Sequence, residues 1–218
     1  MAEPSSLREL RKQELTILRE RVAKRIRIKP LTKRVRRIVG VDVMFTPKAS
    51  KVHVCACLVS FPKLEVLEEA IATDEMEFAA FKNLGNVSLV PLVLSVLKML
   101  KRNIDIIVVR ELALGEEITL GSYIGVISGR PAFSLSERSG NLKRIVKWDG
   151  ERRAGLIKIR GRKTPIAVIA GHHMSLKDAT TLARACAKNL SMPEPICSAS
   201  ARVRAWEREW RRVNLPRR

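Results

Sequence analysis

Apolar and polar positions along this chain follow two periods. In "SSLRELRKQELTILRERVAKRI" a serine start precedes Leu7, Leu10, Leu18 and Val22 on one stripe with charge elsewhere, which predicts an amphipathic helix over about 5–27. Three runs then read as strands: "RRIVGVDVMFT", "KVHVCACLVSF" and "LEVLEEAIAT". Their connections, "PKAS" and "FPK", are short and turn-forming, so an antiparallel meander is expected.

A helix is predicted from about Val87 to Arg102, followed by the strand "IDIIVV", which stops at Arg110 and Glu111. The long connection forces a crossover and places this strand parallel to the first and beside it. Later, "GLIKIRG" and "PIAVIAG" read as strands, Ser175 caps a helix packing through Leu176, Ala179, Leu182 and Ala183, and "SARVRAWEREWRRVN" predicts a basic helix over about 199–213. Three antiparallel strands, then helix, parallel strand, helices and strand, is the order of a ribonuclease H-like α/β fold, a mixed sheet flanked by helices. No Pro/Gly/Ser-rich linker interrupts the chain, so one domain spanning 1–218 is expected.

The first strand carries an anomaly. "IVGVDVMF", Ile38 to Phe45, has the composition of a strand buried on both faces, yet Asp42 sits at its centre. An unpartnered buried carboxylate is expensive, so a metal, a cation or hydrogen-bond donors must lie beside it.

Composition narrows the partner. The formal charge is +20, from 42 Lys/Arg against 22 Asp/Glu, which is the electrostatic footprint of a polyanion-binding protein. Hyperthermophile surfaces are also rich in charge, but their ion-pair networks need both signs, and here bases outnumber acids nearly two to one. The bases cluster: residues 1–37 hold 13 Lys/Arg and 4 Glu, and 138–163 hold 10 Lys/Arg and 2 acids. The expected nucleic-acid contacts are therefore Arg19, Arg21, Lys24, Arg25 and Arg27 on the first helix; Lys143, Arg144, Lys147, Arg152, Arg153, Arg160, Arg162 and Lys163 in the second cluster; and Arg204, Arg208, Arg211 and Arg212 on the last helix. With one Tyr and three Trp, no base-stacking platform is expected.

The four cysteines have no metal-finger spacing and no secretory leader precedes them, so reduced thiols in a cytoplasmic protein are expected; a monomer is expected as well. His53, Cys55 and Cys57 share a strand face, but three ligands in a row do not make a tetrahedral zinc cage. The longest apolar run, "VSLVPLVLSVLKMLK", contains Pro91 and ends in lysines, so no membrane span is predicted.

Several motifs, in order, carry a family likeness: the leading helix with Gln13, "GVDV" at 40–43, "IIVV" before a turn, "SYIGV" at 122–126, "AGHHMSL" at 170–176 and "MPEP" at 192–195. The chain thereby resembles the endonuclease V family, whose patterns at these places are a GVDV strand, a strand ending in DGHG, a SHLGV-like segment, a PGH-x-x-SL turn and R-x-PEP. The resemblance implies a ribonuclease H-like fold over nearly the whole chain and Mg²⁺-dependent cutting on the 3′ side of deoxyinosine or inosine in DNA or RNA repair. It also implies retained catalytic positions at Asp42 and His172, although His172 also reads as a cap or core residue before the Ser175 helix.

The departures from the family bear on activity. Ser88 and Leu89 stand where the family has Arg and a catalytic Glu, Arg110 stands near its second Asp, Glu137 lies near its lysine, and Ile196 and Cys197 replace the TR after PEP. A guanidinium beside a lone aspartate forms a charge-assisted pair and repels Mg²⁺, so an Asp42–Arg110 pair with no cofactor is the expected arrangement. Glu111 is the substitute acid if the strand end slips; Asp42 would then hold Mg²⁺ in a working nuclease. The expected function is that of a catalytically inactive, nucleic-acid-binding relative of the family; the alternatives are an active inosine endonuclease and a structural component of a ribonucleoprotein such as the ribosome.

Overall fold

The computed structural model describes residues 5–76, 85–112, 118–137, 147–148, 150–160, 162–187 and 192–214; for 5–12, Lys147 and Glu151 it describes the backbone alone. After helix α1 (Ser5–Ala23) the chain forms β1 (Arg37–Thr46), β2 (Lys51–Ser60) and β3 (Val66–Glu75). A 3-10 turn leads into α2 (Val90–Met99), then come β4 (Ile106–Arg110), α3 (Leu120–Ser128) and β5 (Ala132–Ser136). A two-residue hairpin, β6 (Lys147–Trp148) and β7 (Glu151–Arg152), precedes β8 (Ala154–Ile157), β9 (Ile166–His172), α4 (Leu176–Ala185) and α5 (Glu194–Asn214).

Seven strands make one sheet in the order β3-β2-β1-β4-β5-β9-β8. The meander and the crossover take the places that their connections demanded: β1 is antiparallel to β2, β2 to β3, and β4 lies parallel against β1 with Val41 opposite Val109. Alternation then divides the core between two layers. Val39, Val41, Val43, Ile107 and Val109 face α1, α2 and α3, whereas Ile38, Ile106, Val108, Leu135 and Val168 face α4 and α5.

Among the described residues α3, β5 and the β6–β7 hairpin lie outside the sequence expectation. The "SYIGV" motif is the body of α3, where Thr119 accepts from the Ser122 amide at 3.2 Å as an N-cap. The first helix ends at Ala23 rather than near 27, and Arg27 donates to the Lys24 and Ile26 carbonyls at 2.8 and 2.9 Å just past its end. The last helix starts at Glu194, five residues before the expected 199, because Pro195 occupies its first turn, where no amide donor is needed. Gly40 explains how this helix docks. A methyl group there would collide with the Pro195 carbonyl, so only glycine lets the start of α5 lie against β1. The "GVDV" and "MPEP" motifs are thus two halves of one contact.

Candidate functional site

Asp42 projects from β1 toward α5 and is 2 % exposed. The parallel register brings Arg110, the last residue of β4, next to it, and both share the face of Ile106 and Val108. Arg110 Nη1 donates to Asp42 Oδ2 at 3.1 Å. Ser200 Oγ, from the second turn of α5, donates to the same oxygen at 2.5 Å, and the Val43 amide donates to Oδ1 at 2.8 Å. Every oxygen of the carboxylate is therefore engaged by protein.

The chain of charge continues outward. Arg110 Nη2 lies 3.5 Å from Glu137, just past the end of β5, and Arg162 approaches the other oxygen of Glu137 at 3.6 Å. Arg110 thus sits between two carboxylates, where it resists displacement more than a single pair would. Sequence reasoning named Asp42 and Arg110 but neither Ser200 nor Glu137 as partners. An apolar stripe would have revealed Ser200: with α5 extended back to Glu194, Ile196, Ala199, Val203 and Glu207 define a buried face that includes it.

The other positions do not join this centre. Glu111 faces away from Asp42, is 4 % exposed, and accepts from the Leu120 amide at 3.1 and 3.4 Å, a carboxylate placed at the N-terminus of α3. The strand end has not slipped, so the substitution of Glu111 for the missing acid does not occur. Leu89 is fully buried in the core layer on the opposite face of the sheet.

His172 does not join Asp42 either. It is opposite Ala132 at the far end of the sheet, and a one-residue bulge at Gly171 turns it toward α3, where its Cβ packs against Gly125. Its Nδ1 has no hydrogen-bond partner among the described residues, and its ring stacks on His173 at 3.8 Å. Burial, aided by His173, Lys29 and Arg27, pushes its pKa down to about 4.

The site does not fit the divalent metal that the resemblance implies. Mg²⁺ needs several hard oxygen ligands in an open arrangement, and here the carboxylate oxygens of Asp42 are taken by a guanidinium, a hydroxyl and an amide. Among the described residues, no group of three His, Cys, Asp or Glu is placed to hold a metal ion. The strand face of His53, Cys55 and Cys57 gives no zinc site either. His53 contacts the Thr46 and Thr73 hydroxyls at 3.1 and 2.8 Å through its two nitrogens, and burial pushes both thiols up to about 12.

The basic positions divide unevenly. Arg19, Arg21, Lys24, Arg25, Arg152, Arg160, Lys163, Arg204, Arg208 and Arg212 are exposed. Arg27 and Arg211 are exposed but engaged, by helix-end carbonyls and by Glu207 respectively. Arg162 is half-buried on Glu137. Arg153 is corrected outright: it is fully buried, its guanidinium 4.7 Å over the Trp148 ring, and cannot reach a phosphate. Lys143, Arg144 and the side chain of Lys147 lie outside the described residues. The bases of α1 and α5 occupy opposite faces of the sheet, so they do not merge into one surface. Among the described residues no helix is long and apolar enough to cross a membrane.

A mixed sheet with an aspartate in its first strand beside a parallel fourth strand, flanked by helices on both faces, is a ribonuclease H-like fold. The model of the endonuclease V family matches residues 20–201, and the chain belongs to that family. Among its relatives, endonuclease V of Gloeobacter violaceus is 27% identical over 178 residues, covering 74% of this chain and 72% of that protein. Endonuclease V of Thermofilum pendens is 27% identical over 189 residues, covering 82% and 81%. The solved structure of Ciona intestinalis endonuclease V in complex with DNA containing an inosine superposes with a TM-score of 0.77 at 18% identity, covering 92% of this chain and 99% of that one.

Proposed function

We propose that this chain is a nucleic-acid-binding member of the endonuclease V family in which a fixed guanidinium stands in for divalent metal, so that it binds strands without Mg²⁺-dependent cutting. The observation that carries this reading is Arg110, held between Asp42 and Glu137 at 3.1 and 3.5 Å. A cation fixed between two carboxylates neutralises them and opposes a metal ion at the same place. The +20 charge supports a polyanionic partner, as does the inosine-containing DNA on which the Ciona relative was solved. The whole chain, 1–218, acts in this reading as one endonuclease V-like monomer whose phosphate contacts dominate affinity.

The competing reading is a Mg²⁺-dependent cut on the 3′ side of inosine, and the names of the relatives favour it. Incubation of inosine-containing DNA and RNA with the protein and Mg²⁺ decides between them. The expected outcome is retarded but intact strands, with affinity falling steeply as salt rises; a product ending 3′ to inosine overturns the binding-only reading. Mg²⁺ should also leave Tm unchanged, since a ligand stabilises only through the native state that binds it.

A further inference from the structure

At the opposite end of the parallel strands from Asp42, the segment "KPLTKRVR", 29–36, runs outside any helix or strand between α1 and β1. Backbone hydrogen bonds pin it along its length. The Leu31 amide donates to Asp178 at 2.9 Å, the Arg36 and Arg37 amides both donate to Asp105 at 2.9 Å, and the Arg36 carbonyl accepts from Phe61 at 2.7 Å. The two acids are thereby spent on backbone amides, while Lys29, Lys33, Arg34 and Arg36 stay exposed. Among the described residues no carboxylate lies within salt-bridge distance of these four cations or of half-buried Arg130.

The pinned segment borders two adjoining cavities that share Arg34 and Val35. One, of about 410 Å³, has Lys29, Lys33, Arg34, Arg130 and His173 on its wall, with Asp105, whose carboxylate is held by the Arg36 and Arg37 amides, as its one acid. His173 is fixed there by its amide, which donates to the Arg27 carbonyl at 2.7 Å, and by its stack on His172. The other, of about 640 Å³, is apolar, formed by Val35, Phe61, Pro62 and Leu182 with Arg34 and Arg36 at its rim. Uncompensated cations beside a pocket with an aromatic wall are the two halves of a nucleotide: charge for a phosphate, a flat apolar surface for a base.

We propose that these cavities take one step of a single-stranded nucleic acid, its phosphate in the basic cavity and an unpaired base against Phe61. The proposal rests on the nucleic-acid-binding reading above and adds a contact at the far end of the sheet from Asp42. A base held in a duplex is not free to enter, so the site selects single strands.

Anisotropy of a fluorescein-labelled oligothymidylate, competed with unlabelled duplex, tests it. The wild-type chain should prefer the single strand. Replacing Lys33 and Arg34 together by Ala should weaken single-strand binding roughly ten-fold and flatten the slope of log K against log salt by about 1.4, two contacts at about 0.7 each. Phe61→Leu should cost about ten-fold with the slope unchanged, because stacking is not ionic. If both variants bind as wild type does while Arg204→Ala with Arg208→Ala loses binding, the cavities are not the site and the general reading survives. If the wild-type chain binds no nucleic acid, both fall. Photocrosslinking of the unmodified protein to an iodouracil-substituted strand removes any dependence on folding of the variants. A crosslink in the peptide bearing Phe61 supports the site, and crosslinks confined to α1 or α5 overturn it.

Discussion

The two ends of the central sheet treat charge in opposite ways. At the Asp42 end, acid and base alternate from Asp42 through Arg110 and Glu137 to Arg162, with Ser200 completing the buried carboxylate. At the other end, Lys29, Lys33, Arg34 and Arg130 border a cavity whose nearby acids, Asp105 and Asp178, are occupied by backbone amides. A closed network stabilises itself and leaves little for a ligand; an open one stays ready for an anion. In this molecule the place where the family likeness points for chemistry is closed, and the open charge lies elsewhere.

The largest expected effect tests the closed end. Arg110→Ala leaves Asp42 buried without its cation and should destabilise the fold by about 3 kcal/mol, read as a lower urea midpoint. Replacing both partners, Asp42→Asn with Arg110→Met, should recover most of that loss, because no unpaired charge remains. An Arg110→Ala protein that unfolds at the wild-type midpoint would show that the pair is not closed in solution.

An effect that reaches the same size only at its acid limit reads the cationic end. The pKa of His172 is lowered from 6.5 to about 4, chiefly by burial and then by His173, Lys29 and Arg27. The folded protein therefore resists a proton that the unfolded chain accepts. The stability present above pH 6.5 is lost as pH falls from there toward 4, by up to about 3 kcal/mol. His53 and His173, also lowered by burial, act with the same sign. His172→Asn should remove the largest share of this slope in urea titrations across the window; an unchanged slope would place the acid sensitivity elsewhere. The smallest effect returns to Asp42. Ser200→Ala removes one hydrogen bond to a carboxylate and should cost about 1.5 kcal/mol, less than Arg110→Ala. The reverse order would make the hydroxyl, not the cation, the principal partner of Asp42.

Much of this was legible in the chain itself. The β-branched runs and the short turns between them specify β1 to β3, and the long connection before "IDIIVV" specifies a parallel neighbour for β1. That adjacency alone is enough to bring Arg110 to Asp42, since each follows one half of the Val41–Val109 pair and both lie on one face. What the local pattern did not carry are the features that arise where distant segments meet. Ser200 reaches Asp42 only because Gly40 admits the Pro195 turn against β1, a contact between residues 155 positions apart in sequence. Glu137 reaches Arg110 only because β5, whose serines interrupt its apolar run, lies beside β4.

His172 shows the limit most sharply. Counted by twos from Ile166, it should share the face of Val168 and Ala170, which is the Asp42 face. The bulge at Gly171 inserts one residue against β5 and turns it to the other side, so the same imidazole becomes a packed neighbour of α3. The sequence by itself determined the β1–β3 meander, the parallel neighbour of β1 and which residues carry charge, because periodicity and turn chemistry are local properties. Only the tertiary structure decided which charges neutralise one another, because that depends on register, bulges and close approaches between segments far apart in the chain.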